Sequence, residues 1–150
     1  MKLEKEIQQL HSFRSERHKL MVNIIYSSNW INEKLKNFLD SEDITSQQYN
    51  ILRILRGSPV PLSTLQIRER MIDRMSDTSR IVDRLVIKGL IDKKTSSADK
   101  RLVDIVINEK GREVLAKLDA KNDRLDDFVN ALSDEEAATI NSLLDKMRDG

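Results

Sequence analysis

The chain of 150 residues contains no cysteine. That excludes disulfides, zinc fingers, thiol nucleophiles and thiol redox sensing together, and it fits a reducing cytosol. No run approaches the roughly 20 apolar residues that a membrane span needs. The opening MKLEKEIQQL alternates charge with apolar groups instead of offering an apolar signal core, so an intracellular, cytoplasmic protein without a membrane partner is expected. Catalytic patterns are missing too. There is no Gly-rich phosphate loop and no nucleophile elbow, and neither histidine stands near a Ser or Asp partner, so an enzyme is not expected. His11 and His18 share a helix face, seven residues apart, but without Cys or an H-E-x-x-H pattern they read as surface histidines, and neither metal nor cofactor is expected.

Proline and glycine are scarce, at two and four residues, and both prolines lie in Ser58-Pro59-Val60-Pro61, a stiff connection that cannot be helical. Residues 2–39 have neither. Their apolar positions (Leu3, Ile7, Leu10, Met21, Ile24, Ile31, Leu35, Phe38) recur near helical period, which predicts one long helix. Such a helix is too long for its own small domain to cover, so part of its stripe is expected to meet a second chain. Thr45-Ser46-Gln47-Gln48 fits a capping box and starts a helix that Gly57 ends. Residues 63–71 read as the positioning helix of a helix-turn-helix, with a turn near 72–75.

Residues 76–111 organise the rest. Hydroxyl and acidic residues open a short helix that stops at Lys88-Gly89; two β-like runs, 90–95 and 102–107, follow, separated by a tip at 96–100. Ile81, Val82, Leu85 and Val86 lie on one side of the helix and Ser76, Arg80, Asp83 and Arg84 on the other, so one face packs and the other reads. Ile87 falls on the polar side, where packing against the hairpin would account for it. Asp83 and Arg84 fit an internal ion pair bracing helix against hairpin. Net charge is only +1, but its distribution is uneven. Ten lysines and arginines face six acids between Arg68 and Arg101, whereas eleven acids face seven bases from Glu109 onward. The attraction for phosphate is concentrated in the middle of the chain. Asn108 is a plausible cap for a helix over 109–132, and Ser133-Asp134-Glu135-Glu136 starts a last amphipathic helix.

The expected fold is mainly α with a small β-hairpin wing: a winged helix-turn-helix at 40–108, flanked by dimerisation helices at 1–39 and 109–150. Three stretches, TSQQYNILRIL, the SRIVDRLVIKGL core and ADKRLVDIVINEKG with Asp99, Arg101 and Gly111, together resemble the MarR family of bacterial transcription regulators. The resemblance implies a homodimer bound to double-stranded DNA at a pseudo-palindromic operator. It further implies a repressor, released when a small aromatic or anionic effector enters between the DNA-binding and dimer parts. Arg101 would enter a minor groove, held by Asp99. Ser76, Asp77, Thr78, Ser79 and Arg80 share the reading end of the helix, Arg84, Lys93, Lys94 and Lys100 are candidate phosphate contacts, and Tyr26, Trp30 and Tyr49 are candidates for lining an effector pocket. Two positions depart from the family pattern: no Gly stands in the turn from Arg70 to Ser76, and Asp77 replaces the usual Ser or Thr. The alternative is a winged-helix module that binds another protein instead of DNA.

Overall fold

Side-chain caps decide where most helices begin. The computed structural model describes residues 1–150, and its elements are α1 (Leu3–Glu6), α2 (Glu16–Leu39), α3 (Ser46–Arg56), α4 (Thr64–Arg70), α5 (Thr78–Ile87), β1 (Ile91–Thr95), β2 (Val103–Ile107), α6 (Glu109–Asp119), α7 (Asn122–Asp126) and α8 (Asp134–Arg148). Thr45, Ser63 and Ser133 each complete a capping box, with Gln48, Gln66 and Glu136 reaching back to the cap amide. Asn108 caps α6 by accepting from the Gly111 amide at 3.0 Å.

Seventeen buried residues form one core, drawn from the end of α2, from α3 to α6 and from the hairpin. Leu39, Ile51, Leu52, Ile67, Leu85, Ile105 and Leu115 are among those fully enclosed. The two strands pair antiparallel, Ile91 opposite Ile107 and Thr95 opposite Val103. Leu62 adds a third edge through an isolated bridge to Ile105, so the segment after the prolines docks the hairpin onto the helices. Arg56 of α3 holds the end of α6 through Asp119 at 2.5 Å.

Two expected long helices are interrupted. Instead of one helix over 2–39, α1 stops at Glu6, Gln8 takes a left-handed φ of 51°, and Ser15 caps a fresh start by accepting from the His18 amide at 3.2 Å. Glu4 then pairs with Lys19 at 2.5 Å. In a continuous helix those residues would be roughly 22 Å apart, so the first 15 residues must turn back along α2. Likewise, the helix expected over 109–132 ends at Asp119. It resumes as the short α7 and a 3-10 turn (Asp127–Val129), where Lys34 bridges Trp30 and Phe128 at 4.6 and 5.4 Å from the ring centres.

Large apolar side chains remain uncovered on α2 (Leu20, Met21, Ile25) and α8 (Ile140, Leu143, Met147). None of the fifteen residues of α8 is buried. No helix is long and apolar enough to cross a membrane.

Candidate nucleic-acid interface

Helix α5 is amphipathic in the sense a reading helix needs. Val82 and Leu85 anchor its inner face in the core, and Ser79, Arg80, Asp83, Arg84 and Ile87 are exposed on the other. Its first turn differs from the sequence expectation in three respects. Asp77 lies outside the helix as its N-cap, its Oδ1 accepting from the Arg80 amide at 3.2 Å. One of the free amides at the helix N-terminus is therefore taken by a carboxylate of its own chain, whose negative charge disfavours a phosphate there. Thr78 is only 4% exposed, with Oγ1 buried and unpartnered, so it belongs to the packed face and cannot reach a groove. Ser76 lies before the cap and donates its hydroxyl to the Asp73 carbonyl at 2.5 Å, which secures the turn. Ser79 and Arg80 remain as the outward groups of this end.

The wing is tied to α5 by an ion pair. Asp83 takes part as expected, but its partner is Lys93 at 3.0 Å, not Arg84. The pairing has a steric origin, because Lys93 stands on β1, which returns alongside α5, whereas Arg84 is the next residue on the same helix and points elsewhere. Lys93 consequently leaves the set of free cations, and Arg84 stays in it. Ile87 is 84% exposed and does not pack against the hairpin. Arg80, Arg84, Lys94 and Lys100 are exposed and have no ion-pair partner.

At the wing tip Asp99 holds Arg101 in a fork. Oδ1 accepts from the Arg101 amide and Nε at 3.0 and 3.1 Å, and Oδ2 accepts from Nη2 at 3.0 Å. The side chain of Arg101 is nonetheless 89% exposed. Its guanidinium, and secondarily its amide, hold the Asp99 carboxyl below the ordinary carboxylate range. With the native value lowered, the fork is present above the usual carboxylate pKa of about 4 and opens only as pH falls through the lowered one. A fixed, solvent-facing guanidinium at the tip of a twisted hairpin suits a narrow, electronegative groove.

Behind the reading helix lies a cleft of about 1260 Å³ between the end of α2, the start of α3 and the turn before α5. Tyr49 and Arg53 form part of its wall, with Arg53 Nη1 donating to the Tyr49 hydroxyl at 3.3 Å. Lys88, at the far end of α5, forms another part. Of the three aromatics expected in a pocket only Tyr49 is there. Tyr26 and Trp30 lie farther back along α2, outside the lining, and Trp30 stacks with Lys34 instead.

Residues 44–103 match the profile of the MarR family. Over those residues the chain is similar to the MarR family. Its curated relatives include the HTH-type transcriptional regulator TcaR of Staphylococcus aureus, 28% identical over 114 residues and 74% of either chain. Among solved structures, the chain superposes on the organohalide-sensing regulator RdhR in its 2,4-dichlorophenol-bound form with a TM-score of 0.82, at 21% identity and covering 94% of this chain and 86% of that one. A mutant of MarR from E. coli complexed with operator DNA gives 0.73 at 24% identity, covering 98% and 99%. The structural likeness shows a winged-helix fold, and these relatives are regulators of transcription. Sequence patterns do not single out Arg53 or Lys88 for the cleft. Arg53 carried a usable signal, since it follows Tyr49 by four residues on one helix face. Lys88 had none, because its partners are distant in sequence.

Proposed function

We propose that the protein is a homodimeric repressor that reads a pseudo-palindromic operator in the cytoplasm, with its affinity lowered by a small aromatic or anionic molecule in the cleft. The observation that carries this reading is the wing tip: Arg101 is locked by Asp99 yet exposed, on the same molecule as a reading helix with Arg80 and Arg84 free on its outer face. Arg101 enters the minor groove, Arg80 and Ser79 meet base edges, and Arg84, Lys94 and Lys100 contact phosphates. The uncovered stripes of α2 and α8 join two copies, which places two reading heads on one face of the duplex. In the cleft, Arg53 and Lys88 are cations without a carboxylate partner, and Ile31, Leu35 and Met71 supply apolar wall, a combination suited to a ring bearing an acceptor or a negative charge. That the RdhR neighbour holds 2,4-dichlorophenol supports a ligand of this kind.

Selection of bound fragments from genomic DNA by the purified chain, followed by titration of a recovered site at several salt concentrations, tests the reading. Affinity should fall steeply with salt. Arg101→Ala should weaken binding about 10- to 100-fold and reduce the slope of log K against log salt by about 1. Binding that is absent, or indifferent to salt, would point to a protein partner instead.

A further inference from the structure

We infer that Lys88 is a positioning residue that fixes the reading helix against the end of the dimer-forming helix, and so sets DNA affinity without touching DNA. The inference rests on the regulator reading above. Lys88 is the C-cap of α5. Its ammonium donates to the Asp43 carbonyl and to Gln48 Oε1, the latter at 3.1 Å. Asp43 closes the 3-10 turn (Asp40–Glu42) in which α2 ends, and it stands in the left-handed conformation, with φ of 52°. One bond therefore runs from the C-cap of the reading helix to the stop of the helix expected to pair the two copies. Between residues 1–43 and 76–107 it is the single hydrogen bond or ion pair.

Both sides of the bond are held firmly. Gln48 is 4% exposed, and its Oε1 also receives the Thr45 amide at 3.1 Å in the capping box of α3, so the acceptor cannot swing away. On the other side the Lys88 carbonyl accepts from Lys110 Nζ of α6 at 3.3 Å. A cation suits this place, because the C-terminal end of α5 carries the negative pole of the helix. The acceptors are a carbonyl and an amide, not a carboxylate, so Lys88 has hydrogen bonds there but no ion-pair partner. Lys88 also forms part of the cleft wall, which leaves the bond open to whatever enters the cleft.

A dimer that reads two half-sites binds tightly only if both heads arrive at the correct separation. Any freedom of α5 relative to α2 must be frozen on binding, once in each copy. Removing the ammonium adds that freedom while leaving every outward cation in place. The two roles, positioning and phosphate contact, separate in the salt dependence.

The test uses the full chain and an operator fragment recovered by genomic selection. Lys88→Met, which keeps the methylenes and loses the donor, should weaken operator binding about tenfold at every salt concentration, with the slope of log K against log salt unchanged. Lys88→Arg, which keeps a donor, should stay within about threefold of the parent chain. Thermal unfolding of both variants, followed by circular dichroism, separates loosening from loss of the fold, and Lys88→Gln serves as a milder variant should methionine prevent folding. Unchanged affinity in the Met variant would overturn the inference, as would a slope reduced by about 1, which would mark Lys88 as an ordinary phosphate contact. Failure of the parent chain to bind any duplex would overturn the regulator reading first, and the inference with it.

Discussion

Gly111→Ala is expected to lower the stability of the fold by about 3 kcal/mol, although alanine is the better helix former by about 1 kcal/mol. Gly111 lies in the first turn of α6, where a Cβ would stand 2.2 Å from the Leu90 carbonyl oxygen and 2.8 Å from Ile107 Cγ1. The first of these is backbone and cannot rotate aside. Relief requires α6 to move away from the α5–β1 junction, and that junction is where Asn108 holds both Gly89, through its carbonyl, and Gly111, through its amide. The clash therefore strains the cap as well as the packing. At this chain length the loss corresponds to a fall of roughly 10 °C in the unfolding midpoint, measured by calorimetry or circular dichroism. An unchanged or raised midpoint would mean that helix propensity outweighs the contact, and the close docking of α6 on the wing would have to be abandoned.

The double substitution Leu143→Glu with Met147→Glu is expected to leave each chain folded and to abolish operator binding. Leu143 and Met147 are one turn apart on α8 and are 59% and 50% exposed. Because no residue of α8 is buried, the substitutions remove nothing from the core. A fifteen-residue helix is marginal in water on its own, so a paired surface of a second copy is expected to hold α8. Two carboxylates on the apolar stripe would have to be desolvated at a paired interface, and four of them would face one another across a two-fold axis. Sedimentation should show the species of a single 17.4 kDa chain. Operator affinity should fall by 10² or more, because the second head no longer gains from the binding of the first. A dimer that survives the change would place the pairing surface elsewhere.

How much the sequence discloses depends on whether a feature is local. The capping boxes at Thr45 and Ser133, the Asn108 cap and the alternation Val103, Ile105, Ile107 are set by neighbours within a few residues, and all of them are legible and present. The interruption between Glu6 and Glu16 carried a weak local sign, since Ser15 before an acidic first turn is an ordinary helix start, but the continuous apolar period masked it. The break after Asp119 had none. The residue before α7, Lys121, offers no side-chain cap, and long-range partners position the segment, among them Arg56 on Asp119 and Lys121 on Ser41. In the candidate interface, the exposed arginine with its aspartate two residues earlier was readable as a motif. The burial of Thr78 and the capture of Lys93 by Asp83 were not, because each depends on the angle at which α5 meets a neighbouring element. Asp77 illustrates the limit: one acid at the head of a helix fits either a base contact or a cap, and the backbone geometry selects the cap.

The central claim is geometric, that two linked copies read two half-sites on the same face of one duplex. The most direct measurement is the affinity of the purified chain for a recovered palindrome and for the same palindrome with five base pairs inserted between its halves. Half a helical turn, about 5 base pairs, rotates one half-site to the far side of the duplex. The account predicts that affinity for the lengthened site drops to the level of unrelated DNA and that inserting a full turn, about 10 base pairs, does not abolish the difference between half-sites and unrelated sequence. Equal affinity for the original and the five-pair insertion would contradict it.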